Sequence, residues 1–90
     1  MRFTWDPRKA AANLAKHGVS FADAATAFGD PLSLTIDDPD HSVGEERFVL
    51  VGSTSSGRVV VIAHGVAGDE IRLISARVAG RRERKAYEET

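Results

Sequence analysis

The sequence predicts an α+β domain in which helices pack on one face of a mostly antiparallel sheet. Two helix starts with their stop signals stand in the first third of the chain. Apolar runs with strand character follow, and short Gly- and Ser-rich segments join them directly. A charged, helix-forming stretch closes the chain. The resulting order is β-α-α-β-β-β-β-α.

"RFTW", residues 2–5, reads as a short strand by its aromatic and β-branched content. Asp6 before Pro7 marks a helix start, with Asp as N-cap and Pro at the first helical position. That helix runs through "RKAAANLAKH" and stops at Gly18, a residue suited to the left-handed C-cap. Ser20 caps a second helix over "SFADAATAF", with Asp23 completing a weak capping box, and "GDP" ends it. The connector "HGVS" makes the two an αα-hairpin. "LSLTI" alternates and is placed at a sheet edge because Pro31 and Pro39 flank it. "RFVLVG" and "RVVVIAH" are strands joined by the hairpin loop "STSSG". "EIRLISAR" is the last strand, reached through "GVAGD", and "GRRERKAYEE" is the closing helix.

A symmetric "GVAGD" loop sets His64 opposite Glu70, Ile62 opposite Arg72 and Val60 opposite Ile74. One face of that pair is then wholly apolar, with Val59, Val61, Ala63, Ile71 and Leu73, and should meet the helices. The other carries Arg58, His64, Glu70 and Arg72 among Val60, Ile62 and Ile74, and should form the functional surface. A bulge that slips the register by one residue would exchange the two faces.

Ninety residues make one domain, 1–90, able to bury a single modest core, so its stability margin is thin or shared with a partner. With no cysteine there is no disulfide framework and no thiolate nucleophile. "MRFTWDPRKA" has no apolar h-region and "VVVIA" is too short to span a bilayer, so a cytoplasmic protein without membrane contact is expected. The net charge of −1 hides a segregation: residues 1–18 carry +3, residues 19–57 carry −6 and residues 58–90 carry +2. Arg77 to Tyr87 holds five basic residues against Glu83, which suits phosphates or an acidic partner; a solvated mixed-charge helix fits the same composition.

Several stretches in order, "FTWDPRKAAANLAKHGVSFADAATAF", "DHSVGEERF", "GRVVVIAH" and "IRLISARVAGRRERKAYE", resemble the BrnT family of ribonuclease toxins over Phe3 to Glu88. The matches fall on Trp5, Asp6 and Lys9; on Lys16, His17 and Gly18; on His41, Glu45, Glu46 and Arg47; on Arg58, Arg72 and Arg77; and on Glu83, Arg84 and Tyr87. The resemblance implies a small RelE-like fold and an endoribonuclease that inhibits translation. It further implies neutralisation by direct binding of a BrnA-like ribbon-helix-helix antitoxin, with DNA contacted only through that antitoxin. One departure stands out: Gly65, Val66 and Ala67 occupy the place where many members carry a Thr-Glu-Arg triplet. A catalytically weak member that binds antitoxin and regulates its operon is therefore the alternative reading.

RNA cleavage needs a base for the 2′-OH, an acid for the leaving 5′-oxygen, and cations for the charge at phosphorus. Arg58 and Arg77 are candidates for the cations, His64 for proton transfer between roughly pH 5 and 8, and Glu46 for the base. Arg47, Arg72, Arg84 and Lys16 are candidate phosphate contacts, and Tyr87 can stack on a base. Neither a Gly-rich phosphate loop nor metal-ligand spacing is present, so no metal or cofactor is expected. Each candidate has a structural alternative. His64 could end a strand, Arg77 could pair with an acid at the last helix, and Glu45 and Glu46 could be solvated or could hold an arginine in place. On the functional reading, "DHSVGEERF" is a loop-to-strand junction whose carboxylates orient nearby arginines.

Overall fold

The computed structural model describes residues 1–38 and 46–89. Its elements are β1 (Arg2–Thr4), α1 (Pro7–His17), α2 (Phe21–Ala25) continued by a 3₁₀ turn (Thr26–Gly29), β2 (Leu34–Asp37), β3 (Glu46–Ser53), β4 (Val59–Ala67), β5 (Glu70–Val78) and α3 (Arg81–Glu88). The expected α+β order holds. The strands form one five-stranded sheet in the order β1-β5-β4-β3-β2, antiparallel except for the parallel β1–β5 pair. β2 lies at an edge, as expected. His41 and Glu45, and the first six residues of "DHSVGEERF", lie outside the described residues.

The helix starts and stops work as read, except that the Asp23 carboxylate turns to Ser56 and Arg58 instead of completing a capping box. The Asp6 carboxylate accepts from the Arg8 N–H, and Pro7 opens α1. Gly18 takes φ 70° and donates its N–H to the Leu14 carbonyl. The Ser20 hydroxyl accepts from Asp23 N–H at the start of α2. These helices cover one sheet face: Val19, Phe21, Ala24 and Ala27 pack with Leu50, Val60, Ile62, Ile71, Leu73 and Ala76.

That core corrects the expected faces. β4 runs on through Gly65, Val66 and Ala67, and only Gly68 and Asp69 form the turn, with Ala67 opposite Glu70. Gly68 takes φ 63°, the positive value that a two-residue hairpin with Gly first demands. His64 therefore faces Leu73, not Glu70. A bulge then slips the register, so Ala63 faces Ser75, Ile62 faces Ala76 and Val61 faces Arg77. The β4 half of the expectation is exchanged: Val60, Ile62 and His64 sit beneath the helices, and Val59, Val61 and Ala63 share the face of Arg77. On β5, Ile71 and Leu73 lie in the core and Arg72 on the other face, as expected.

One polar residue holds this core together. Asn13 lies in α1 one turn from Ala10 and is 7% exposed. Its amide donates to the Val19 and Ala76 carbonyls and accepts from Ala76 N–H, at 2.8–3.0 Å. It thus does for Ala76 what a neighbouring strand would do, beyond the reach of β1, which pairs only with Glu70 to Arg72. Replacing Asn13 with Ala strands three buried backbone groups, each costing about 1–3 kcal/mol. We expect a loss of about 3 kcal/mol or more, read as a Tm drop above about 10 °C. Asn13→Asp should do no better, because a carboxylate cannot donate to the two carbonyls. A thermal melt of either variant within a few degrees of the parent would refute this account.

Candidate active site

Three cross-strand rows make the middle of the face turned away from α1 and α2, between the Ser53–Val59 pair at one end and the Arg2–Glu70–Ala67 row at the other. One row is Leu34, Val51, Val61 and Arg77; the next is Ile36, Val49, Ala63 and Ser75; the third is Arg47, Gly65, Arg72 and Thr4. An apolar strip thus runs out to β2, where Ile36 is 62% exposed. Arginines bound it on two sides. Gly65 stands between Arg47 and Arg72 without a side chain of its own.

α3 touches β3 and carries no buried residue; polar contacts hold it. The Arg77 guanidinium binds Glu83 through both terminal nitrogens, Nη1 to Oε1 at 2.7 Å and Nη2 to Oε2 at 2.5 Å. Glu83 Oε1 also accepts from the Gly80 N–H at 2.8 Å, closing the first turn of α3. These bonds hold the Glu83 carboxyl down at about pKa 2, with Arg77 the chief cause, and push Arg77 up in turn. At the other end of α3 the Tyr87 hydroxyl donates to Asp30, which also accepts from Ser53 N–H and Leu32 N–H. The shared bond lowers the Asp30 pKa and raises that of Tyr87.

The structure brings some of the candidate residues together and separates others. Arg47, Arg72 and Arg77 share the open face, with Tyr87 and Arg84 on α3 beside it; Arg84 is exposed. Arg58 was expected on the functional surface and does not lie there. It alternates with Val59 onto the helix side, donates to the Gly18 carbonyl at 3.1 Å and forms an ion pair with Asp23 at 3.2 Å. It ties the β3–β4 turn to the α1–α2 connector. Glu46, the first residue of β3, is exposed and shares the alternation of Phe48 and Leu50. Lys16 lies in the last turn of α1, on a shallow groove of about 230 Å³ with Lys9, His17 and Ile74.

His64 is the largest displacement from expectation. It is 3% exposed, edge-on to Phe28 at 4.8 Å and stacked on Phe48 at 5.9 Å, with Nδ1 near the Ile62 carbonyl. Burial pushes its pKa below the ordinary histidine value, with the Ile62 carbonyl opposing. The unfolded chain takes up a proton near pH 6.5 that the folded chain refuses. Stability should therefore fall as pH drops through 6.5, by up to about 1.4 kcal/mol per pH unit. His64→Phe should flatten that slope in denaturant titrations between pH 5 and 7. An unchanged slope would show that another group carries it.

Glu83 and Asn13 matched or passed as ordinary polar residues in the sequence, and the structure gives both specific work. A polar residue one turn from Ala10 and His17, on the buried stripe of α1, was the available signal for Asn13. For Glu83 the signal was an acid three residues after Gly80 at a helix start, in a run otherwise basic.

An α+β sheet covered on one face, with three arginines and a polar C-terminal helix on the other, defines a small domain suited to a polyanion. The family model for the BrnT ribonuclease toxin of type II toxin–antitoxin systems matches residues 5–83, and the chain belongs to this family. The crystal structure of the Brucella abortus ribonuclease toxin BrnT has the same fold, with a TM-score of 0.69 at 23% identity. The match covers 90% of this chain and 99% of that one. A search of curated proteins finds no match.

Proposed function

We propose that this chain is a metal-independent endoribonuclease whose scissile phosphate docks on the open sheet face. The observation that carries this reading is that Arg47, Arg72 and Arg77 share that face, at either end of its apolar strip. Arginine forks bind phosphate oxygens in pairs and stay charged throughout the physiological range. The 2′-oxygen attacks phosphorus as a base takes its proton, and the 5′-oxygen leaves as it gains one. The arginines stabilise the extra negative charge between those events. Glu83 is too weak a base for this work, since Arg77 keeps it ionised down to about pH 2. Glu46, the candidate base of the sequence, alternates with Arg47 onto the other side of β3 with Phe48 and Leu50, so it does not face the phosphate in this scheme. His64 and Arg58 serve packing and turn anchoring in this scheme. Arg84, Lys16 and Tyr87 extend the contact to flanking nucleotides.

In the cell, cleavage of this kind would inhibit translation in the cytoplasm. A BrnA-like ribbon-helix-helix antitoxin would neutralise the chain and carry the pair to DNA. The alternative, a weakly active antitoxin-binding module, draws on Gly65, Val66 and Ala67 standing in place of a charged triplet. Purified protein and a synthetic RNA in the presence of EDTA separate the two readings. The parent should cleave while an Arg77→Ala control does not. Equal, negligible cleavage by both would favour the module.

A further inference from the structure

We propose that Glu83 is a positioning residue for catalysis: it fixes the Arg77 guanidinium by one edge so that the other edge faces the scissile phosphate. This rests on the reading above that Arg77 touches that phosphate.

The geometry carries the argument. A guanidinium has two edges able to grip a pair of oxygens, one formed by both terminal nitrogens and one by Nε with a terminal nitrogen. Glu83 takes the first, with Nη1 and Nη2 at 2.7 and 2.5 Å from its two oxygens. Arg77 also makes a long bond, 3.5 Å, from Nη1 to the Val78 carbonyl. Among the described residues no hydrogen bond engages Nε, and the side chain is 45% exposed, within reach of a ligand.

Glu83 is itself fixed. Its Oε1 is tied to the Gly80 N–H at the start of α3. The far end of α3 is tied by Tyr87 to Asp30, whose carboxylate holds the end of β3 through Ser53 N–H. A long, flexible arginine on an open strand would otherwise sample many rotamers before meeting phosphate. Here the closing helix restricts it beforehand, which places cationic donors where charge develops. The same pair has a simpler reading, as a tether that only docks α3 on the sheet. On another reading, the carboxylate masks the arginine and weakens catalysis.

Steady-state cleavage of a synthetic RNA by the full chain distinguishes these readings. Glu83→Gln preserves an oxygen for Gly80 N–H while removing the charge that grips the guanidinium. We expect kcat to fall about 10- to 100-fold, the scale of a misplaced catalytic group, with KM nearly unchanged and Tm within a few degrees. In an Arg77→Ala background, Glu83→Gln should have no further effect on kcat. A parent-like or raised kcat for Glu83→Gln would overturn the proposal, as would an equal fall in both backgrounds. A kcat loss matched by a loss of folded protein in circular dichroism would leave the tether alone and overturn it too. If Arg77→Ala itself cleaves at the parent rate, the placement of the active site fails first, and that result is separate from these.

Discussion

Arg77→Ala should lower RNA cleavage by about 10²- to 10³-fold while the protein stays folded, because a lost transition-state donor has an effect of that size. Arg77 is exposed on the open face, and its truncation leaves no cavity. It also frees Glu83, a carboxylate at the surface end of α3 that water can solvate. The fold therefore retains its core, and the loss falls on chemistry. Arg77→Lys should recover little of the rate. An ammonium keeps the charge but lacks the second edge with which to bind phosphate while Glu83 holds the first. Arg58→Ala should behave in the opposite manner. It removes the ion pair to Asp23 and the bond to Gly18, so it should lower stability and spare the rate per folded molecule. If Arg77→Ala cleaves like the parent and Arg58→Ala does not, the active face has been placed on the wrong side of the sheet.

Local signals made much of the fold legible. Asp6-Pro7, Gly18 and Ser20 act within a few residues of themselves, and each formed the cap its chemistry favours. The edge position of β2 followed from prolines that a central strand would not tolerate. The face assignment failed because it depended on two events with weak local signatures. Gly68 permits a two-residue turn where a five-residue loop was expected, and the bulge in β5 slips the register at Ala63 and His64. Since side chains alternate with period two, these changes moved His64 from the surface into the core and moved Arg77 to the open face. The arginines were legible as phosphate ligands by type. Which of them share a face was not, because that depends on register across four strands. The pairing of Arg77 with Glu83 joins a strand to the following helix, and the alternative that Arg77 meets an acid there was visible in the sequence.

The open face also predicts how a protein partner would silence the enzyme. RNA uses its cations, but the strip of Leu34, Ile36, Val49 and Val51 offers phosphate nothing. An amphipathic helix with an apolar stripe and flanking carboxylates would use both, covering the strip while its acids meet Arg72 and Arg77. We expect added antitoxin to abolish RNA binding and cleavage together, in proportion to the complex formed. The two ligands should also be separable by mutation. Ile36 lies on the edge strand, 62% exposed, and has no place in the proposed chemistry. Ile36→Asp removes an apolar contact worth about 1.5–3 kcal/mol when buried. It also sets a negative charge against an acidic partner. Antitoxin affinity should fall at least about 10-fold, since each 1.4 kcal/mol is a factor of ten. Cleavage in the absence of antitoxin should hold at the parent rate. The variant would then remain toxic at antitoxin levels that silence the parent. A saturated complex that still cuts RNA at full rate would show that neutralisation does not act by covering this face. Unaltered affinity of Ile36→Asp would show that the partner docks away from the strip.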